Sequence, residues 1–263
     1  MITLTDIQLN AWLTGMLWPL ARIMAIIAVV PVLGNEVIPA RFKIALGMII
    51  TVIIAPLATQ PQGVELWSGT GMVILVQQIV IGIAMGFAMR IVFGMVDLAG
   101  ELTGLQMGLG FASFYDPQNA SDTALVSQYL GILITLIFLG TNSHLLVIAT
   151  LAESFRVLPI SADLLGSTPW MALVQWGGKT FSIGLMLALP ILAALLIANL
   201  ALGILTRAAP QLNIFSVGFP VTLLLGFAVL MLVLPQMGSA LEKPLQQGLD
   251  MMLTLARIAH QGR

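Results

Sequence analysis

The sequence predicts an all-α, polytopic integral membrane protein built of long, partly kinked helical hairpins. Three observations lead there. Only 8% of the 263 residues are charged and 59% are hydrophobic, whereas a soluble domain carries about 25% charge. Apolar runs close to the ~20 residues a helix needs to cross the hydrocarbon core recur along the chain. The runs are too long for strands and lack turn punctuation, so they read as helices.

Six candidate spans follow in order, at residues 11–32, 44–59, 70–89, 124–152, 180–206 and 214–234. Thr5 and Gln8 make a capping box that opens the first helix. Arg22 stands in the middle of that span. A lipid-facing arginine there costs about 2.5–3.5 kcal/mol, so Arg22 is expected to face protein or water. Pro31 to Pro39 closes a tight connector ahead of Arg41 and Lys43, and the second span ends at Pro56. Trp67 in the next loop suits an interface.

The third span is the informative one. No proline stands between Pro61 and Pro117, so its helical pattern does not stop at Arg90. A helix over 70–108 would measure about 58 Å at 1.5 Å per residue, against a hydrocarbon core of about 30 Å. It must break near a glycine or run out of the membrane. The fourth span crosses Thr141-Asn142-Ser143 and carries His144, which reads as a hydrogen-bonded neighbour rather than a proton relay. The loop 153–179, with Pro159, Pro169, Trp170 and Trp176, suggests short interfacial structure. Pro190 and Pro220 kink the last two spans, so 180–234 is a helical hairpin with a proline-marked corner. The tail 236–263 is amphipathic and mildly basic.

On the long third helix, spacings of seven and eleven residues bring Arg90, Asp97 and Glu101 to nearly one face. Gly86, Gly94, Gly104 and Gly108 fall within about 40° of that face. Gly82 with Gly86, and Gly100 with Gly104, are small-residue pairs that let helices approach closely. Two readings stay open. The stripe faces another subunit or a pore, or it packs within this chain with Arg90 neutralised by Asp97 or Glu101.

Residues 104–117 depart most from generic hydrocarbon. Gly104, Gly108 and Gly110 lend flexibility. Phe111, Phe114 and Tyr115 supply rings able to fill a narrow space, and Asp116-Pro117 stops a helix.

Several chemistries find no support. A net charge of −1 argues against a nucleic-acid partner. There is no cysteine, and His144 and His260 lie far apart without a metal-ligand pattern, so no metal and no cofactor is expected. There is no phosphate-binding loop, serine elbow or His-Glu-x-x-His. An intramembrane enzyme would need a catalytic constellation that the spans lack, and no catalytic residue is assigned.

Gln106-Met-Gly-Leu-Gly-Phe-Ala followed by Asp116-Pro117 resembles the central motif of the FliR family of flagellar biosynthetic proteins. Arg207-Ala-Ala-Pro-Gln-Leu-Asn-Ile-Phe-Ser-Val-Gly-Phe-Pro220 is similar to that family's second motif, on Arg207, Pro210, Phe215, Gly218 and Pro220. Length and hydropathy layout agree, so the resemblance covers nearly the whole chain. It implies a non-enzymatic subunit of the flagellar type III protein-export gate, multi-pass in the bacterial inner membrane at the flagellar basal body. The implied partners are FliP-like and FliQ-like subunits in a helical hetero-oligomer, FlhB-like and FlhA-like export proteins, unfolded export substrates and membrane lipid.

The resemblance also implies an internal division of one membrane domain, 1–263. Residues 1–123 would be FliP-like helices with a plug loop at about 104–117. Residues 124–179 would connect, and 180–263 would be a FliQ-like hairpin with its tail. The family's plug role falls on Gln106, Met107, Phe111, Phe114 and Tyr115, and a hydrophobic constriction of that kind closes a pore by steric block and dewetting. An injectisome gate subunit is the alternative that shares these motifs. A secondary transporter or channel is the alternative of another class, which uptake by the isolated chain would reveal.

Overall fold

The computed structural model describes residues 6–59, 61, 63–110, 125–209 and 218–262. Among them the chain is helical and contains no strand. The helices are α1 (Asp6–Val29), α2 (Ala40–Ile54), α3 (Gly69–Gln106), α4 (Leu125–Gly140), α5 (Ser143–Val157), α6 (Thr168–Ala208) and α7 (Phe219–Gln261), with a 3-10 turn Ala55–Leu57 closing α2. Five of them, α1, α2, α3, α6 and α7, are long and apolar enough to cross a membrane, and the bent pair α4–α5 makes up to a sixth span.

Local chemistry explains most boundaries. Pro39 precedes α2 in an extended conformation, and Pro56, which has no N–H to donate, falls where the helix tightens and ends. Helix α3 is unbroken for 38 residues, about 57 Å, so the long helix runs on past Arg90. The expected fourth span at 124–152 is not one helix. Its two halves bend by 66° at Thr141-Asn142, where Asn142 adopts the left-handed region with φ 56°. Asparagine tolerates that conformation better than most residues, and the polar Thr-Asn-Ser triplet marks the break.

Two further boundaries differ from the expectation. The segment 153–179 is not loop throughout. Helix α6 begins at Thr168, with Pro169 in its first turn where a missing N–H is harmless. The sixth span and the tail also form one helix of 43 residues through Pro235 and Pro244. Pro220 sits in its first turn. Neither Pro235 nor Pro244 ends α7.

The chain forms two compact units. The first comprises Met1–Ile91, Asn142–Gly177 and Leu245–Arg263. Here α2 rests on α1 where Gly47 admits the side chain of Met24. Helix α3 approaches α1 through Gly82, against Arg22 and Ala25, and one turn later through Gly86, against Ile26 and Val29. The two helices therefore run in the same direction.

Arg22 is completely buried. Its Nε donates to Gln78 Oε1 at 2.8 Å, one terminal nitrogen donates to Ser154 O at 3.2 Å, and the other donates to Leu158 O at 3.1 Å. Its guanidinium also lies 4.2 Å from the centroid of the Phe155 ring, a cation–π contact. The charge expected to avoid lipid thus joins α1 to α3 and to the end of α5. Trp176 Nε1 donates to Ala88 O at 2.9 Å, tying α6 to α3.

The second unit comprises Val92–Thr141 and Gly178–Pro244. Helix α3 meets α4 at Gly100, where an added Cβ would collide with the backbone of Ser127. Phe93 and Phe138 meet edge to face at 5.8 Å. These pairings, 100 with 127 and 93 with 138, make α3 and α4 antiparallel. Helix α6 joins through Gly184, which lies against Met95 O and Leu98. In the most apolar 18-residue stretch of α3, 61% of residues are buried, compared with 22% in those of α2, α6 and α7, so the latter three present apolar faces outward.

Candidate functional site

The segment singled out by sequence begins where α3 ends. Thr103 O accepts from Met107 N–H, Leu105 O from Gly108 N–H, and Gly104 O from Leu109 N–H, each at 3.0 Å. The last two bonds form a Schellman motif with Gly108 as the left-handed residue, at φ +87°. A residue with a Cβ would be strained there. Gly108 therefore ends the helix before the Asp116-Pro117 pair is reached.

The turn that follows is fastened to α7 within the second unit. Met107 is fully buried. Its side chain fills the notch left by Gly226, so a Cβ at 226 would stand 2.5 Å from its Cγ, 2.8 Å from Cε and 2.9 Å from Sδ. Its carbonyl lies 3.3 Å from Thr222 Oγ1, whose single proton it shares with Phe219 O at 3.0 Å. Thr222 and Gly226 are one turn apart and share a face of α7. Of its neighbours, Leu105 is exposed and Gln106, Gly108 and Gly110 are half-buried. Phe111, Phe114, Tyr115, Asp116 and Pro117 lie outside the described residues.

Of the second motif, Arg207 is exposed in the last turn of α6, where a cation complements the helix dipole. Gly218 is buried and Pro220 exposed at the start of α7. Pro210 and Phe215 lie outside the described residues.

The α3 stripe divides by burial. In the first unit Gly82 and Gly86 are buried against α1, while Arg90 is exposed and makes no ion pair among the described residues. In the second unit Gly104 is buried near Val126 and Leu109, and Asp97 and Glu101 are exposed. The Asp97 carboxylate lies beside Gly131 of α4. Gly94 faces open space. A shared helix face does not mean a shared environment, because neighbouring helices cover only part of its length.

Sequence reasoning missed Thr222 and Gly226, the two residues that hold Met107. Their spacing of four is a small-residue pattern inside an apolar span, but nothing local connects it to a residue more than a hundred positions earlier. Gln78 and Ser154, which solvate Arg22, were likewise missed. Polar residues inside spans were the available signal.

Comparison with known proteins matches residues 13–248 to the family described as Bacterial export proteins, family 1. The chain is 46% identical over 238 residues to the flagellar biosynthetic protein FliR of Pectobacterium carotovorum subsp. carotovorum, covering 89% of this chain and 90% of that protein. It is 43% identical over 235 residues to FliR of Escherichia coli strain K12, covering 89% and 90%. To FliR of Bacillus subtilis strain 168 it is 26% identical over 212 residues, covering 80% and 82%.

Proposed function

The chain belongs to family 1 of the bacterial export proteins, and from that membership we propose that it is a non-enzymatic subunit of the flagellar protein-export gate. It is a multi-pass protein of the bacterial inner membrane. Within the export apparatus, at the flagellar basal body, it helps to form and close the pore through which unfolded flagellar substrates pass. Residues 1–123 act as a FliP-like part and 180–263 as a FliQ-like hairpin. The chain joins FliP-like and FliQ-like subunits and works with FlhB-like and FlhA-like proteins.

The observation that carries this reading is the stretch 104–117 in a chain that aligns with its FliR relatives over about nine-tenths of both lengths. Apolar faces left exposed on α2, α6 and α7 support neighbours or lipid around the chain. With no phosphate-binding loop in the sequence, the driving energy comes from other proteins. Phe111, Phe114 and Tyr115, flanked by Gln106 and Met107, block the closed conduit, and a hydrophobic constriction of this kind holds back ions by steric block and dewetting.

The test is ion leak in the reconstituted gate. Deleting 106–115, or replacing Phe111, Phe114 and Tyr115 together by alanine, is expected to raise it. An unchanged leak removes the plug role.

A further inference from the structure

The end of α3 has a feature that ordinary helix termination does not require. The Schellman motif already satisfies the carbonyls of Gly104 and Leu105 in the last turn. Even so, the residue at the turn is held a second time, by both its main chain and its side chain, on one face of α7. Its attachments are of a kind that come apart without disrupting a helix. One is a thioether side chain with three rotatable bonds, which leaves and refills an apolar notch readily. The other is a hydrogen bond at 3.3 Å, from a hydroxyl that has a second acceptor in Phe219 O and so is not orphaned on release. The left-handed Gly108 directly beyond supplies a swivel that needs no change in α3.

We propose that Met107, seated on Thr222 and Gly226, is a releasable latch that fastens the exit of α3 to α7 in the closed state, and that export requires Met107 to leave the Gly226 notch. Met107 is here a positioning residue: it acts through the turn it anchors and has no need to touch the substrate. The latch rests on the reading that the segment after α3 governs the conduit.

The test uses the full export apparatus in cells. The chain has no cysteine, so Met107→Cys with Gly226→Cys introduces the chain's only thiol pair. A Cβ at 226 stands 2.5 Å from Met107 Cγ, which brings the two β-carbons within about 4 Å, the spacing of a disulfide. Oxidation is expected to crosslink the pair within the chain and lower substrate export at least tenfold. Reductant should restore export, and each single-cysteine chain, whatever its level of export, should export equally with and without oxidant. Reversal by reductant separates a latch from a merely structural contact.

Crosslinking with undiminished export overturns the latch, and absence of crosslinking overturns the seat itself. Neither result touches the plug reading, which the aromatic triple replacement tests by leak. If that replacement leaves leak unchanged while the crosslink still stops export, the plug reading fails and the latch stands. Gly226→Ala is the second variant. It crowds Met107 and is expected to raise leak, with return toward normal in the Met107→Ala, Gly226→Ala double variant. A leak unmoved by Gly226→Ala overturns the latch.

Discussion

Arg22 shows how one side chain organises the first unit. A guanidinium sealed from solvent survives because its donors reach Gln78, Ser154 and Leu158 and its face lies on Phe155. Hydrogen bonds to a charged group are worth more than neutral ones. Arg22→Met fills similar volume but removes the donor from Leu158 O and the Gln78 amide oxygen, while Ser154 O keeps Leu158 N–H, at a cost on the order of 3 kcal/mol. Arg22→Lys keeps the charge and loses the planar fork, so an intermediate loss is expected. Thermal unfolding of the detergent-solubilised chain checks both, and equal stability of all three proteins would show the network to be dispensable. The need to bury Arg22 was legible from its position in an apolar run. Its partners were not, because they come from helices far away in sequence.

At the scale of elements, the chain separates two kinds of break. Gly108 ends α3 and Asn142 divides α4 from α5, each through a left-handed residue. Glycine in the first place was legible as a bend. Asparagine in the second was passed over because the polar triplet Thr141-Asn142-Ser143 is short and the runs beyond it on both sides are as apolar as a span. The bend predicts a distinction between substitutions. Asn142→Gly keeps the left-handed conformation and is expected to leave assembly intact, while Asn142→Val is expected to cost about 1–2 kcal/mol through its Cβ clash. Thermal unfolding of the two variants decides, and equal stability would mean that the bend needs no special residue. The prolines give the opposite lesson. Pro190 read as a kink rather than a stop, and Pro190, Pro235 and Pro244 all lie inside continuous helices.

On the scale of the whole molecule, the exposed charges of α3 set the expectation. Arg90 makes no ion pair among the described residues. Seven residues along a helix amount to about 10.5 Å, too far for a direct pair with Asp97. Arg90→Glu is therefore expected to change the stability of the isolated chain by no more than about 0.5 kcal/mol, while reducing recovery of other export proteins in a mild-detergent pull-down. A large loss of stability in the isolated chain would show that Arg90 serves this chain's own fold. Undiminished recovery of partners would free that face from any role in assembly.

The sequence by itself determined the membrane class, the helical character, the need to shelter Arg22 and the bend at Gly108. These follow from local quantities: the cost of a charge in hydrocarbon, the length needed to cross it, and the backbone freedom of glycine. Only the tertiary structure decided that Gly82 and Gly86 lie against α1, that Gly100 meets Ser127, and that Met107 is seated on Thr222 and Gly226. In a soluble helix the buried face differs in polarity from the exposed one, and the letters reveal it. In this chain both faces are apolar, since lipid and protein neighbours ask for the same side chains. Which face is covered is then settled by close packing between helices distant in sequence.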